Sequence, residues 1–104
     1  MKDNVPYEVE KRLLLDDGSE VVLFDMLAAP PSVPDLDNEQ NIVRRTPKGS
    51  IIWRISAQPP VYPRSPFTGM GYNEEGVLIA YRWDGTSFKV DIQTGAATPF
   101  LLTK

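Results

Sequence analysis

The run Gly76-Val77-Leu78-Ile79-Ala80-Tyr81-Arg82-Trp83-Asp84-Gly85-Thr86-Ser87-Phe88-Lys89-Val90-Asp91-Ile92 decides how the rest of the chain is read. Val77, Ile79, Tyr81 and Trp83 alternate on one side of a break, and Phe88, Val90 and Ile92 alternate on the other. A period of two belongs to strands. Asp84-Gly85 is the dipeptide favoured in a two-residue type I′ turn, where both central residues need positive φ. With the turn placed there, Tyr81 is expected opposite Phe88, Ile79 opposite Val90 and Val77 opposite Ile92. The large apolar side chains then share one face, and Arg82, Ser87, Lys89 and Asp91 share the other.

Working outward, further hairpins follow. Ile51-Ile52-Trp53-Arg54-Ile55 is β-branched and aromatic, and Pro47-Lys48-Gly49-Ser50 before it has turn chemistry. The length of that loop, and with it whether Trp53 faces Val43 or Arg44, stays open. Val9 to Leu15 and Glu20 to Asp25 form another pair around Asp16-Asp17-Gly18-Ser19. A last strand, Ala97 to Thr103, follows Gln93-Thr94-Gly95, where Gly95 suits the left-handed position of a three-residue loop, and Pro99 marks it as an edge. Helix has little room, with Val21 to Ala29 the one contender. The expected fold is all-β: a single domain over 1–104, an antiparallel meander of about seven strands forming a partial barrel or a two-layer sheet.

Two connections are long. Residues 26–40 carry Pro30, Pro31, Pro34 and the acidic string Asp35-Leu36-Asp37-Asn38-Glu39; residues 58–73 carry four prolines with Tyr62, Arg64, Phe67, Met70 and Tyr72. Loops of this length in a compact domain are often its functional part. The aromatics of 58–73 have no evident strand to hold them inward. The loop is therefore read either as a lid over the sheet or as a surface offered to a partner, through Tyr62, Arg64, Phe67, Met70 and Tyr72.

Composition narrows the chemistry. The 104 residues are 41% hydrophobic, 10% aromatic and 24% charged, which is ordinary for a globular domain. They contain neither His nor Cys. Nucleophilic catalysis by Ser-His-Asp or Cys-His is thereby excluded, as are disulfides and zinc sites built from those residues. Lack of cysteine suits a reducing compartment, and Met1 to Glu10 has no apolar run of leader type, so a cytoplasmic location is expected.

Charge is divided unevenly along the chain. Residues 1–40 hold three basic and ten acidic side chains, a net of −7, and residues 41–104 hold eight basic and four acidic, a net of +4. Arg44, Arg45, Lys48, Arg54, Arg64 and Arg82 suggest a nucleic-acid surface in isolation. The favoured expectation is that the two halves pack together and neutralise each other, because a chain of net charge −3 repels phosphate at long range.

Asn41 to Ile55, with a strand, a Gly-ended turn and a Trp-bearing strand, resembles the inner strands of a β-propeller blade. Asp84-Gly-Thr-Ser-Phe-Lys-Val-Asp-Ile-Gln-Thr-Gly95 resembles the repeat signature of quinoprotein-type propellers. The resemblance covers residues 41–55 and 76–98 and implies local strand–turn–strand geometry. It brings over no cofactor site, and a chain with room for two blades does not close a ring.

Other candidate sites are weaker. The string Asp35, Asp37, Asn38, Glu39 offers oxygens to a hard cation but lacks the spacing of a calcium loop, so no metal is expected. Asp25 and Asp91, on strands, are the carboxylates with most prospect of acid–base chemistry, and no catalytic residue is assigned. Alternating Trp53, Tyr81, Trp83 and Phe88 are read as core before they are read as a stacking platform. The leading expectation is a non-enzymatic, protein-binding or accessory module that contacts its partner through 58–73. No cofactor, nucleic acid or membrane is expected, and a homodimer is possible. A small-molecule or sugar binder with an aromatic-walled pocket is the alternative, and a carboxylate-dependent enzyme the weaker one.

Overall fold

A computed structural model describes residues 7–27 and 29–99. It is all-β, with β1 (Val9–Leu14), β2 (Glu20–Phe24), α1 (Asp35–Glu39), β3 (Ile42–Arg45), β4 (Ile51–Arg54), β5 (Phe67–Tyr72), β6 (Leu78–Arg82), β7 (Ser87–Val90) and β8 (Ala97–Pro99). The strands form two four-stranded antiparallel sheets, each paired in chain order, and no barrel closes. The expected meander is thus cut in two layers of four, with eight strands instead of seven. The extra strand is β5, inside the segment read as a Pro/aromatic loop. The short helix α1 occupies the acidic string, and Val21 to Phe24 is strand.

Four hairpins use one loop design, and it overturns the register expected at Asp84-Gly85. In each, a three-residue loop ends in a glycine whose N–H donates back to the residue before the loop: Gly18 to Leu15, Gly49 to Thr46, Gly76 to Asn73 and Gly85 to Arg82, at 2.9–3.0 Å. These glycines have φ between 79° and 95°, while Asp84 is not in the positive-φ region. This is a type I turn followed by a left-handed bulge residue, not a two-residue type I′ turn. The loop is one residue longer than expected, so Tyr81 pairs with Ser87, Ala80 with Phe88 and Leu78 with Val90. A slip of one residue exchanges the faces. Leu78, Ala80 and Arg82 therefore point inward, and Tyr81 and Trp83 are exposed. Ile79 is buried, although it lies on the face shared with Tyr81.

The same count settles Trp53, which lies opposite Arg44. At the last turn Gly95 does take the left-handed conformation, but the loop has four residues between Asp91 and Ala96, so Ile92 lies beyond β7. The end of the expected last strand, 100–103, falls outside the described residues.

One hydrophobic cluster joins the sheets. Val21, Leu23, Ile42, Trp53 and Ile55 come from the first sheet and its end, while Phe67, Met70, Leu78, Ala80, Phe88, Val90 and Ala97 come from the second. Phe67 and Phe88 meet edge to face at 5.7 Å; burying side chains of this size contributes roughly 1.5–3 kcal/mol each. The sheets stack the same way round. Beyond Gly18 the inward residues are the third and fifth, Val21 and Leu23; beyond Gly76 they are the second and fourth, Leu78 and Ala80. Opposite faces of two equivalent meanders thus meet, and Ser56 and Ala96 form a parallel bridge between their ends. The first sheet's other face, with Val22, Phe24 and Val43, is covered by Met26 and Val33 of the 26–40 segment.

Asn41 holds the layers in register. Its side-chain N–H groups donate to the carbonyls of Phe24 and Phe67, at 2.7 and 2.8 Å, and its Oδ1 accepts the Phe67 N–H at 2.9 Å. It is buried, so each of these bonds replaces water that the backbone groups have lost.

Candidate functional site

The charge asymmetry resolves into pairs. Arg44 meets Asp17 at 2.8 Å, Arg45 meets Glu20 at 2.7 Å, Arg54 meets Asp37 at 2.8 Å and Arg64 meets Asp35 at 3.0 Å. Each joins a basic residue of 41–104 to an acidic residue of 1–40, which is the mutual neutralisation expected from the sequence. Arg82 pairs locally with Asp84 at 3.1 Å.

These bonds turn the acidic string into a strut. Asp37 accepts from Arg54 and from the Tyr7 hydroxyl, Asp35 from Arg64, and Glu39 from the Arg64 backbone N–H. Burial together with the bond to Asp37 pushes the Tyr7 phenol above its usual range. No cluster of three or more potential metal ligands occurs among the described residues. Asp25 and Asp91 accept the N–H groups of Leu27 and Gln93 two residues on, which makes them turn caps.

Arg64 is the one non-glycine residue with positive φ (60°) among those described. Four contacts hold it there: its N–H donates to Glu39, and its guanidinium donates to the Val33 and Pro30 carbonyls and to Asp35. Ser65 Oγ donates to the Tyr62 carbonyl, and the Trp83 N–H donates to the Pro66 carbonyl. The 61–66 loop is therefore fastened to α1 on one side and to the β6–β7 turn on the other.

The five residues read as a contact surface divide accordingly. Tyr62 is exposed (68%), and Tyr72 at the end of β5 is half exposed. Arg64 is the half-buried clamp. Phe67 and Met70, at 2% and 3% exposure, both lie in the core, because β5 pairs with β6 and the irregularity between Phe67 and Gly69 lets two residues three apart face the same way. In their place the fold brings forward Val61 (85%) and Trp83 (60%), with Tyr81 beside them on the outer face of β6. A two-residue turn would place Trp83 inward; the three-residue loop turns it out to solvent. The repeated x-x-Gly pattern of the other loops was the available signal for its exposure.

A cleft of about 130 Å³ is lined by Leu36, Glu39, Gln40, Ala57, Gln58, Pro59, Pro60 and Arg82. Arg82 is 5% exposed and fixed on three sides: Nε donates to Asp84, Nη1 donates to the Gln58 carbonyl at 2.7 Å, and the guanidinium lies 4.7 Å from the Phe88 ring centroid. Burial pushes the Asp84 carboxyl up, but hydrogen bonds from the Arg82 side chain and from Thr86 outweigh it and hold the carboxyl below its usual range.

No helix among the described residues is long and apolar enough to cross a membrane. Comparison with the curated proteins and with the solved structures finds no match. A family profile, described as Domain of unknown function (DUF7957), matches residues 4–100. That match runs through both sheets and the segment that braces them, so the chain belongs to this family.

Proposed function

We propose that the protein is a non-enzymatic binding module that engages a protein partner through the 61–66 loop and the neighbouring β6–β7 turn. The observation that carries this reading is Trp83 and Tyr62 standing exposed on backbone that is hydrogen-bonded in place. Large aromatic side chains held on rigid backbone lose little entropy on binding, and aromatic and Arg side chains are what interface centres enrich. The carboxylates best suited to chemistry are engaged in arginine pairs or in turns, which supports a binding role over catalysis. The cysteine-free composition supports a cytoplasmic setting.

Affinity capture from the native cell tests this, comparing wild type with Trp83→Ser/Tyr62→Ser. Both substitutions are at exposed positions, whereas a Phe67 substitution would damage the core. A specific partner recovered by wild type and lost by the double variant is the expected result. Equal recovery by both refutes the surface.

A further inference from the structure

We propose that the cleft between α1 and residues 57–60 is a binding site for a neutral carboxamide, as carried by an asparagine or glutamine side chain. It deepens the reading above, and rests on it only for the source of the amide, a side chain of the bound partner. The cleft volume of about 130 Å³ holds roughly four waters at about 30 Å³ each, which is room for one side chain. Residues 57–60 run directly into the exposed Val61 and Tyr62, so the cleft wall is continuous in the chain with part of the proposed contact surface.

The charges select the ligand. Arg82 lines the cleft with Nε and Nη1 already donating to Asp84 and to the Gln58 carbonyl, which leaves Nη2 to donate to a ligand, and its charge is already balanced by Asp84. Glu39, on the α1 wall, presents an anionic acceptor, with its Oε2 taking the Arg64 N–H. A carboxylate entering here meets Glu39, of its own sign, beside Arg82, and an ammonium meets Arg82 beside Glu39, so the walls favour neither ion. A carboxamide has an acceptor oxygen for Arg82 and donor hydrogens for Glu39, with no net charge to repel. Leu36, Pro59 and Pro60 supply an apolar wall for its methylene stem. Arg82 needs no rearrangement to donate, being held by Asp84, Gln58 and the Phe88 ring.

The test is a titration of the full chain, followed by amide and arginine side-chain NMR, with N-acetylglutamine methylamide and its near-isostere N-acetylglutamate methylamide at neutral pH. Saturable shifts at Ala57, Gln58 and the Arg82 Nε–H are expected with the glutamine probe, at least tenfold stronger in affinity than with the glutamate probe. Glu39→Gln keeps an acceptor for the Arg64 N–H and is expected to narrow that preference to less than threefold. Equal affinities in wild type, a preference for glutamate, or no shifts at these residues overturns the proposal. Trp83→Ser/Tyr62→Ser should leave the titration unchanged. An intact titration alongside failed partner capture therefore removes the aromatic surface while leaving the cleft.

Discussion

The indole of Trp53 on β4 lies against Gly95 in the last turn, so closely that a Cβ built on Gly95 would come within 2.6 Å of Trp53 Cε3. The Trp53 Nε1–H donates to the Ile92 carbonyl of the same turn at 2.7 Å, and Arg44 Nη1 donates to that carbonyl at 2.9 Å. One sheet thus grips the turn of the other through a ring, a bond and an absent side chain. Gly95→Ala meets both a positive φ (81°) and the ring. We expect a loss of about 3 kcal/mol in urea unfolding. Gly49→Ala, with similar φ (95°) but open space around it, should lose only about 1 kcal/mol. Equal losses would mean the indole contact adds nothing.

Asn41→Ala leaves the Phe67 N–H and the carbonyls of Phe24 and Phe67 without their side-chain partner in a buried setting. A loss of about 2–4 kcal/mol is expected, together with faster hydrogen exchange at Phe67, which marks loosening between the sheets. A change below about 1 kcal/mol would show that the layers keep register without it.

Arg64 combines a clamp with an unfavourable backbone. Arg64→Ala removes the bonds to Val33, Pro30 and Asp35 and keeps the strained φ; Arg64→Gly removes the same bonds and relieves it. The glycine variant should therefore be the more stable of the two by about 1 kcal/mol in denaturant unfolding. The reverse order would place the strain elsewhere.

The Asp84 carboxyl is held below its usual range, so its contribution to stability is fully present above the unfolded-state value near 4 and is lost as pH falls through the lower folded value. Unfolding free energy should drop as pH falls below about 4, and Asp84→Asn should flatten that part of the profile. At neutral pH the same variant leaves the buried Arg82 guanidinium without its anion, at a cost of about 3 kcal/mol. An unchanged acid limb would assign the pH dependence to other carboxylates.

Trp83→Ser and Phe67→Ala separate surface from core. The first should change stability by no more than about 0.5 kcal/mol, and the second should lower it by about 3–5 kcal/mol. Thermal unfolding of the two variants checks this directly.

Part of this architecture was legible residue by residue. The hairpins at 9–24 and 42–54 follow from alternation and from glycines after polar turn residues, and the opposed charges of the two halves foretold the arginine–carboxylate pairs. β5 was hidden because Phe67-Thr-Gly-Met-Gly-Tyr72 has two glycines where a strand pattern calls for side chains. In the fold the Tyr81 ring packs against Gly69, and Lys11 Nζ donates to the Met70 carbonyl beside Gly71, so neighbouring residues cover what those glycines lack. α1 was hidden because five residues of helix are held by Arg54, Arg64 and Tyr7, all distant in sequence.

By itself the sequence determined the class of structure: period-two patterning and turn glycines are local properties, and they specify antiparallel hairpins wherever the chain goes next. Only the tertiary structure decided which face of each hairpin is core. That choice turns on a single residue of loop length, worth little in local energy, and is made when Leu78, Ala80 and Phe88 find Val21, Leu23 and Trp53 across the layer. The exposed Trp83, the clamp at Arg64 and the cleft lined by Arg82 and Glu39 are consequences of that long-range packing.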